Sequence, residues 1–238
     1  MPARFEELAW SQTALGAISL RRRLEPSLLV DVYEVKLGDE FLMSSLFTVA
    51  EVELARIGLA ELARPDLDVV VGGLGLGYTA RAVLDDPRVR SLVVVEALGE
   101  VIDWHQRELL PDTAGLASDP RARLVHGDFF VMVDEGAGLD PRLPGRRFDA
   151  VLVDIDHTPH HVLHPSHTAF YTPAGLGRLA RHLHPGGVFA LWSDDPPEAG
   201  FQAVLAEVFA TTAVHVVTFP NPLTGDESAN TVYVGTLG

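Results

Sequence analysis

The stretch Val69-Val70-Val71-Gly72-Gly73-Leu74-Gly75-Leu76-Gly77-Tyr78-Thr79-Ala80 limits what this chain can fold into more than any other. Its β-branched run, Val69 to Val71, suits a strand buried on both faces of a parallel sheet. Glycine has no Cβ, so the residues that follow can turn sharply and bring backbone amides close to a ligand. A helix beginning near Tyr78 aims its amide dipole into the same space, which favours a nucleotide or cofactor. A second apolar run, Leu92 to Val95, ends in Glu96, 21 residues after Gly75. At that offset an acidic residue can reach a ribose. The same residues also fit a tight strand-to-helix turn followed by a solvated glutamate. Gly73, Gly75 and Gly77 are spaced by twos, whereas a nicotinamide dinucleotide calls for a third glycine three residues after the second. The spacing therefore points to an S-adenosyl cofactor, with Gly72, Gly73, Gly75, Gly77 and Glu96 as its candidate contacts.

The rest of the chain supplies a framework for that loop. Residues 14–44 read as strands and turns, with Gly38-Asp39 as one turn, and predict a small N-terminal β-meander. Apolar positions Leu46, Val49, Val52, Leu54, Ile57 and Leu62 recur near helical spacing and predict a helix from Ser45 to Ala63. Strands are expected at 92–96, 123–125, 148–153, 188–192, 213–219 and 231–234. Helices are expected at 79–84, around 101–109, and at 129–134, 173–183 and 198–210. Such alternation predicts an α/β fold, a Rossmann-like doubly wound sheet closed by a hairpin. Residues 1–44 form the small β-segment in this reading, and 45–238 the cofactor-binding catalytic domain.

Two more strand ends offer chemistry. At His126-Gly127-Asp128-Phe129 the glycine permits close approach, and Asp128 either accepts a bond from an adenine amino group or caps the next helix. Phe148 to Val153 delivers Asp154 and Asp156 at its carboxyl end, the edge where ligands bind in open α/β sheets. Five histidines follow, at 157, 160, 161, 164 and 167. They read as a lid or as surface residues rather than as metal ligands, since Pro159 and Pro165 interrupt any helix that would cluster them. His157, next to the carboxylates, is a candidate acid or base.

Composition narrows the function classes. The chain has no cysteine, which excludes disulfides, zinc–thiolate sites and a cysteine nucleophile. A net charge of −15 disfavours nucleic acid and suits a cationic substrate. Neither a leader-like N-terminus nor a run of membrane-spanning length is present in the sequence, so a cytoplasmic protein without a membrane partner is expected.

Val71-Gly72-Gly73 with its following glycines, Glu96, Gly127-Asp128, Phe148 to Asp154 and the Pro185-Gly186-Gly187 turn together resemble the spermidine synthase family. These are aminopropyltransferases built on the S-adenosylmethionine methyltransferase fold. The resemblance implies that Glu96 holds the ribose hydroxyls, Asp128 the adenine and Asp154 the attacking amine. It further implies polyamine biosynthesis, S-adenosylmethionine or its decarboxylated form as co-substrate, no metal, and a homodimer. Three departures stand out. Gly75 occupies the place of an aspartate that binds the donor's amine, and Asp154-Ile155-Asp156-His157-Thr158-Pro159 replaces Asp-Ser-Ser-Asp-Pro. Ala50 and Glu51 stand near a tyrosine and a glutamine that line the amine pocket. Asp154, Asp156 and His157 are the expected catalytic residues of an aminopropyl transfer to an amine. Small-molecule methyl transfer and a catalytically silent nucleoside-binding scaffold remain the alternatives.

Overall fold

The computed structural model describes residues 5–13, 16–135 and 138–238. Residues 1–4, which belong to the leader reading, and 14–15, which open the expected meander, lie outside this set. The N-terminal part is an antiparallel sheet of four strands in sequential order: β1 (Phe5–Thr13), β2 (Gly16–Glu25), β3 (Val30–Leu37) and β4 (Glu40–Ser44). The first of these was not foreseen. Its residues alternate weakly, and the side chains it sets against β2 include ion pairs such as Arg22–Glu6 at 2.7 Å, which an apolar periodicity search passes over.

A helix α1 (Val49–Ala60) leads into the main sheet, whose elements follow as β5 (Leu67–Gly72), α2 (Tyr78–Asp85), β6 (Val89–Glu96), α3 (Gly99–Gln106), β7 (Ala122–His126), α4 (Phe129–Asp134), β8 (Phe148–Val153), α5 (Pro173–Ala180), β9 (Leu183–Ser193), α6 (Ala199–Val208), β10 (Thr211–Pro220) and β11 (Glu227–Thr236). Among the described residues the sheet runs β10-β11-β9-β8-β5-β6-β7. The strands β5 to β9 are parallel, and β11 and β10 close the edge antiparallel. Strand order therefore reverses between β5 and β8, and the crevice at such a switch point is where doubly wound sheets bind ligands.

The β-branched runs do what their composition demands. Val69 and Val71 enter the core under α1, α2 and α3, while Val70 enters the core under α4, α5 and α6. Leu92 and Val94 against Val93 and Val95, and Ala150 and Leu152 against Val151 and Val153, divide in the same way. Each face thus holds a layer of helices. Ile18, Leu20 and Val35 of the N-terminal sheet join the first of these cores, so the small sheet packs on the same apolar body.

The helix expected from Ser45 to Ala63 is shorter, Val49–Ala60, the last strand is longer, Glu227–Thr236, and two further differences meet at β9. The helix expected to reach residue 183 ends at Ala180, and the His184-Pro185-Gly186-Gly187 turn lies within β9. The β8–β9 register slips from Phe148↔Leu183 to Ala150↔Val188, so these residues form a bulge rather than a loop before the strand. That bulge is tied to the C-terminal segment, with the Gly186 amide donating to the Leu237 carbonyl at 2.9 Å.

Candidate active site

Every strand end that carries candidate chemistry meets at one edge of the sheet, and backbone bonds hold those ends together. The Gly73 amide donates to the Val95 carbonyl at 2.9 Å, Asp154 to Gly72 at 2.9 Å, and Gly127 to Glu96 at 2.9 Å. Gly73 has φ +91, and a Cβ there would fall on the Asp154 carbonyl oxygen. Only glycine lets β5 and β8 exit side by side at this point. Gly72, Gly77 and Gly127 are close-packed instead against Phe129, His105 and Met132.

Side chains that the sequence did not single out brace the loop. His105 Nε2 lies 2.9 Å from the Gly75 carbonyl, and the Thr113 hydroxyl donates to the Leu76 carbonyl at 2.9 Å. A carbonyl can only accept, so His105 carries its hydrogen on Nε2. Burial holds its pKa below the usual imidazole value, which favours that neutral form. These bonds turn the loop carbonyls towards α3 and the segment after it.

Glu96 accepts the Leu74 amide on Oε2 and the Leu98 amide on Oε1, both at 2.9 Å. Burial raises its pKa, against the pull of those amides. The backbone amides of Gly75 and Ala97 also bear on the carboxylate, so four amides from the two strand-end turns surround it. Asp128 is the N-cap of α4: its Oδ1 accepts the amides of Phe130 at 2.9 Å and Val131 at 3.2 Å. Capping and ligand binding are compatible here, because Oδ2 takes no part in the cap.

A cleft opens between β4, α1, the glycine loop and the end of β8, lined by Met43, Glu51, Gly75, Tyr78, Asp154, His157 and Trp192 among others. Two carboxylates lie in it. Asp154 Oδ2 accepts the Thr79 hydroxyl at 2.6 Å. Burial pushes the pKa of Asp154 up to about 6 even so. Glu51 rises further, to about 8, through burial first and then through the negative charges of Asp154 and Asp194. Neither lysine nor arginine lines the cleft among the described residues. A half-buried carboxylate pair with neither lysine nor arginine beside it is a costly arrangement. An incoming ammonium would relieve it.

Glu51 is noted in the sequence only as a departure, near a glutamine of the family's amine pocket, and its part as a second carboxylate of the cleft is what the structure adds. The signal was in the sequence: a glutamate two residues into a helix whose neighbours Ala50 and Leu54 are core. The structure adds Met43 as well. Gly75 has φ +47, and a Cβ on it would lie 2.6 Å from Met43 Sδ. The thioether occupies the space that a side chain at position 75 would need.

Asp156 and His157 part company. His157 lines the cleft, with Nε2 at 3.4 Å from Glu40 Oε1 and its ring 5.0 Å from that of His161. Asp156 is 1% exposed and lies outside the cleft lining. It accepts the Leu163 amide at 2.7 Å, His167 Nδ1 at 2.9 Å and the Tyr171 hydroxyl at 2.8 Å. The position expected to be catalytic is thus the anchor of the histidine loop. The other histidines scatter among partners: His160 reaches Glu198 at 2.6 Å and His164 turns back on Ser166 at 2.7 Å. Among the described residues no three potential ligands gather at a metal-binding position.

Residues 50–221 match the spermine/spermidine synthase domain family. The chain belongs to that family. It is 30% identical over 164 residues to polyamine aminopropyltransferase 2 of Pseudomonas aeruginosa, covering 65% of this chain and 43% of that protein. It is 27% identical over 172 residues to the polyamine aminopropyltransferase of Bacillus subtilis, covering 70% of this chain and 57% of that protein. The chain thus spans about half the length of the curated relatives it matches. Among solved structures it is similar to a spermidine synthase in complex with the transition-state analogue AdoDATO, with a TM-score of 0.74 at 20% identity over 98% of this chain and 74% of the other. The spermidine synthase of Thermotoga maritima gives a TM-score of 0.73 at 19% identity, over 98% of this chain and 73% of that one. These likenesses establish the doubly wound fold, and the Val71-Gly72-Gly73, Glu96, Gly127-Asp128 and Asp154 motifs fall inside the matched region.

Proposed function

We propose that this protein transfers an aminopropyl group from decarboxylated S-adenosylmethionine to an amine. The observation that carries the reading is the cleft with two carboxylates, Glu51 and Asp154, and neither lysine nor arginine in its lining among the described residues. Each substrate brings an ammonium group, and both suit that lining. The carboxylate of S-adenosylmethionine itself would face Glu51 and Asp154 with no guanidinium or ammonium to balance it, which argues against methyl transfer.

In this reading Glu96 holds the ribose and Oδ2 of Asp128 the adenine, with the donor's sulfonium directed along the glycine loop. A primary amine is mostly protonated at neutral pH, since its pKa is near that of lysine, about 10. Asp154 binds the ammonium and takes one of its protons. The freed nitrogen lone pair then attacks the methylene next to the sulfonium. The carbon–sulfur bond breaks, its electron pair stays on sulfur, and methylthioadenosine leaves. Holding nucleophile and methylene in line is the main contribution the protein can make to such a displacement. Asp156 acts at one remove, by fixing the loop that carries His157 over the cleft. A homodimer and a cytoplasmic location, both common expectations for the family, belong to this proposal as well; no helix among the described residues is long and apolar enough to cross a membrane.

Calorimetric titration with both donors tests the reading. Decarboxylated S-adenosylmethionine is expected to bind at least tenfold more tightly than the carboxylated form, a difference of about 1.4 kcal/mol. Tighter binding of the carboxylated donor would overturn aminopropyl transfer in favour of methyl transfer, and release of neither methylthioadenosine nor S-adenosylhomocysteine on incubation with donors and amines would leave the silent scaffold.

A further inference from the structure

Thr79 is the second residue of α2 and is 3% exposed. A threonine inside a helix commonly returns its hydroxyl hydrogen to the carbonyl four residues back. Here that carbonyl belongs to Gly75, which precedes the N-cap Gly77 and so lies outside the helix, and it is bonded by His105. The Thr79 hydroxyl instead leaves its own helix. It lies 2.6 Å from Asp154 Oδ2, at the end of β8, and 3.2 Å from the Glu51 carbonyl on α1. One hydrogen thus has two acceptors. The shorter contact has the length of a bond to an ionised carboxylate, so the hydrogen belongs to Asp154 when that group is charged. Once Asp154 is protonated, its own hydrogen can be given to the threonine oxygen, and the hydroxyl is released to the Glu51 carbonyl.

We propose that Thr79 is a positioning residue of the transfer reaction, whose hydroxyl stabilises the ionised form of Asp154 and, by occupying Oδ2, presents Oδ1 to the acceptor amine. This rests on the proposed transfer. Among the described residues the hydroxyl is the one neutral side-chain donor that the structure sets on Asp154. The surrounding ionisable groups are Glu51 on α1, Tyr78 on α2, His157 with Glu40 behind it on the loop and β4, and Asp194 after β9. Of these, only His157 can carry positive charge. Burial raises the Asp154 carboxyl to about 6, and the Thr79 bond is what opposes that rise. Without the bond the acid is left to burial alone.

Thr79→Val keeps the shape and removes the hydroxyl, whereas Thr79→Ser keeps the hydroxyl. The ionisation of Asp154 can be followed in the ligand-free protein by its carboxyl carbon resonance, assigned with Asp154→Asn. A hydrogen bond to a charged group is worth enough to move the Thr79→Val midpoint upward by about one pH unit, with Thr79→Ser close to the wild type. In turnover the acidic limb of kcat/KM moves by the same interval. At pH 6 the valine variant falls about fivefold, from half ionised to roughly a tenth, and the gap narrows as pH rises. A valine midpoint that coincides with the wild type would overturn the proposal. A midpoint that moves in a protein turning over neither donor would instead remove the transfer reading and, with it, the catalytic role given to Thr79.

Discussion

Replacing Glu51 by glutamine should stabilise the ligand-free protein at alkaline pH while weakening its hold on an amine. The pKa of Glu51 is about 8, compared with an ordinary 4.5, so between those values the folded chain keeps a proton that the unfolded chain has released. Stability rises with pH only where the unfolded state binds more protons, and here the sign is reversed. The wild type therefore loses stability as pH rises from about 5 to 8. A carboxyl displaced by that much contributes about 3 kcal/mol to the loss over this interval, an upper figure because water in the half-open cleft screens part of it. Glutamine cannot titrate, so Glu51→Gln removes that part of the slope and leaves the smaller part that Asp154 contributes below about pH 6. For a domain of this size, the melting temperature of the variant should exceed that of the wild type by roughly 5–10 °C at pH 8 and by little at pH 5. Thermal melts of both proteins at the two pH values check this. Parallel pH dependences would refute it, since they would mean that Glu51 titrates normally. The cost appears in binding: at pH 8 a diamine should bind Glu51→Gln about tenfold more weakly, the loss of one charge-assisted contact.

Other perturbations separate loop geometry from site chemistry. Gly73→Ala should cost far more than Gly75→Ala in urea unfolding, because the new methyl meets the backbone oxygen of Asp154 at the first site and the flexible Met43 side chain at the second. The Gly75→Ala cost should be about 1–2 kcal/mol from its left-handed φ, and adding Met43→Ala should recover only part of it. Equal costs at the two sites would contradict this. Asp156→Ala strands the half-buried donors of Leu163 and His167 and the buried hydroxyl of Tyr171, so it should destabilise the fold by about 2–4 kcal/mol and speed hydrogen exchange across residues 157–167. Unchanged exchange there would show that the loop is held by something else.

The parts of this structure that were legible in the sequence are those set by local rules. Val69 to Val71, Leu92 to Val95 and Phe148 to Val153 had to be central strands because nothing else buries such runs on both faces. The glycine loop, Glu96 and Asp154 followed from where those strands end. What stayed hidden depends on contacts distant in sequence. Nothing local reveals that His105 braces the Gly75 carbonyl across 30 residues, or that Met43 from the N-terminal sheet lies over Gly75. Glu51 is marked in the sequence only by the resemblance, near an amine-pocket glutamine, and its meeting with Asp154 shows only once α1 packs against the switch point. Asp156 misled for the opposite reason: its position two residues after Asp154 suggested a shared site. The chain turns between them, and the second carboxylate is buried under the histidine loop. The strand β1 escaped because the side chains it sets against β2 include Arg–Glu pairs rather than an apolar stripe.

The central claim is that Asp154, at the carboxyl end of β8, takes the proton of an amine that displaces methylthioadenosine. The most direct measurement is methylthioadenosine release by mass spectrometry, with decarboxylated S-adenosylmethionine and a diamine, for the wild type and for Asp154→Asn, alongside donor affinity for each. The account predicts product from the wild type, a loss of about a hundredfold or more in kcat for the variant, as expected when a general base is removed, and donor affinity nearly unchanged, because Asp154 acts on the acceptor. Equal rates for the two proteins would contradict it.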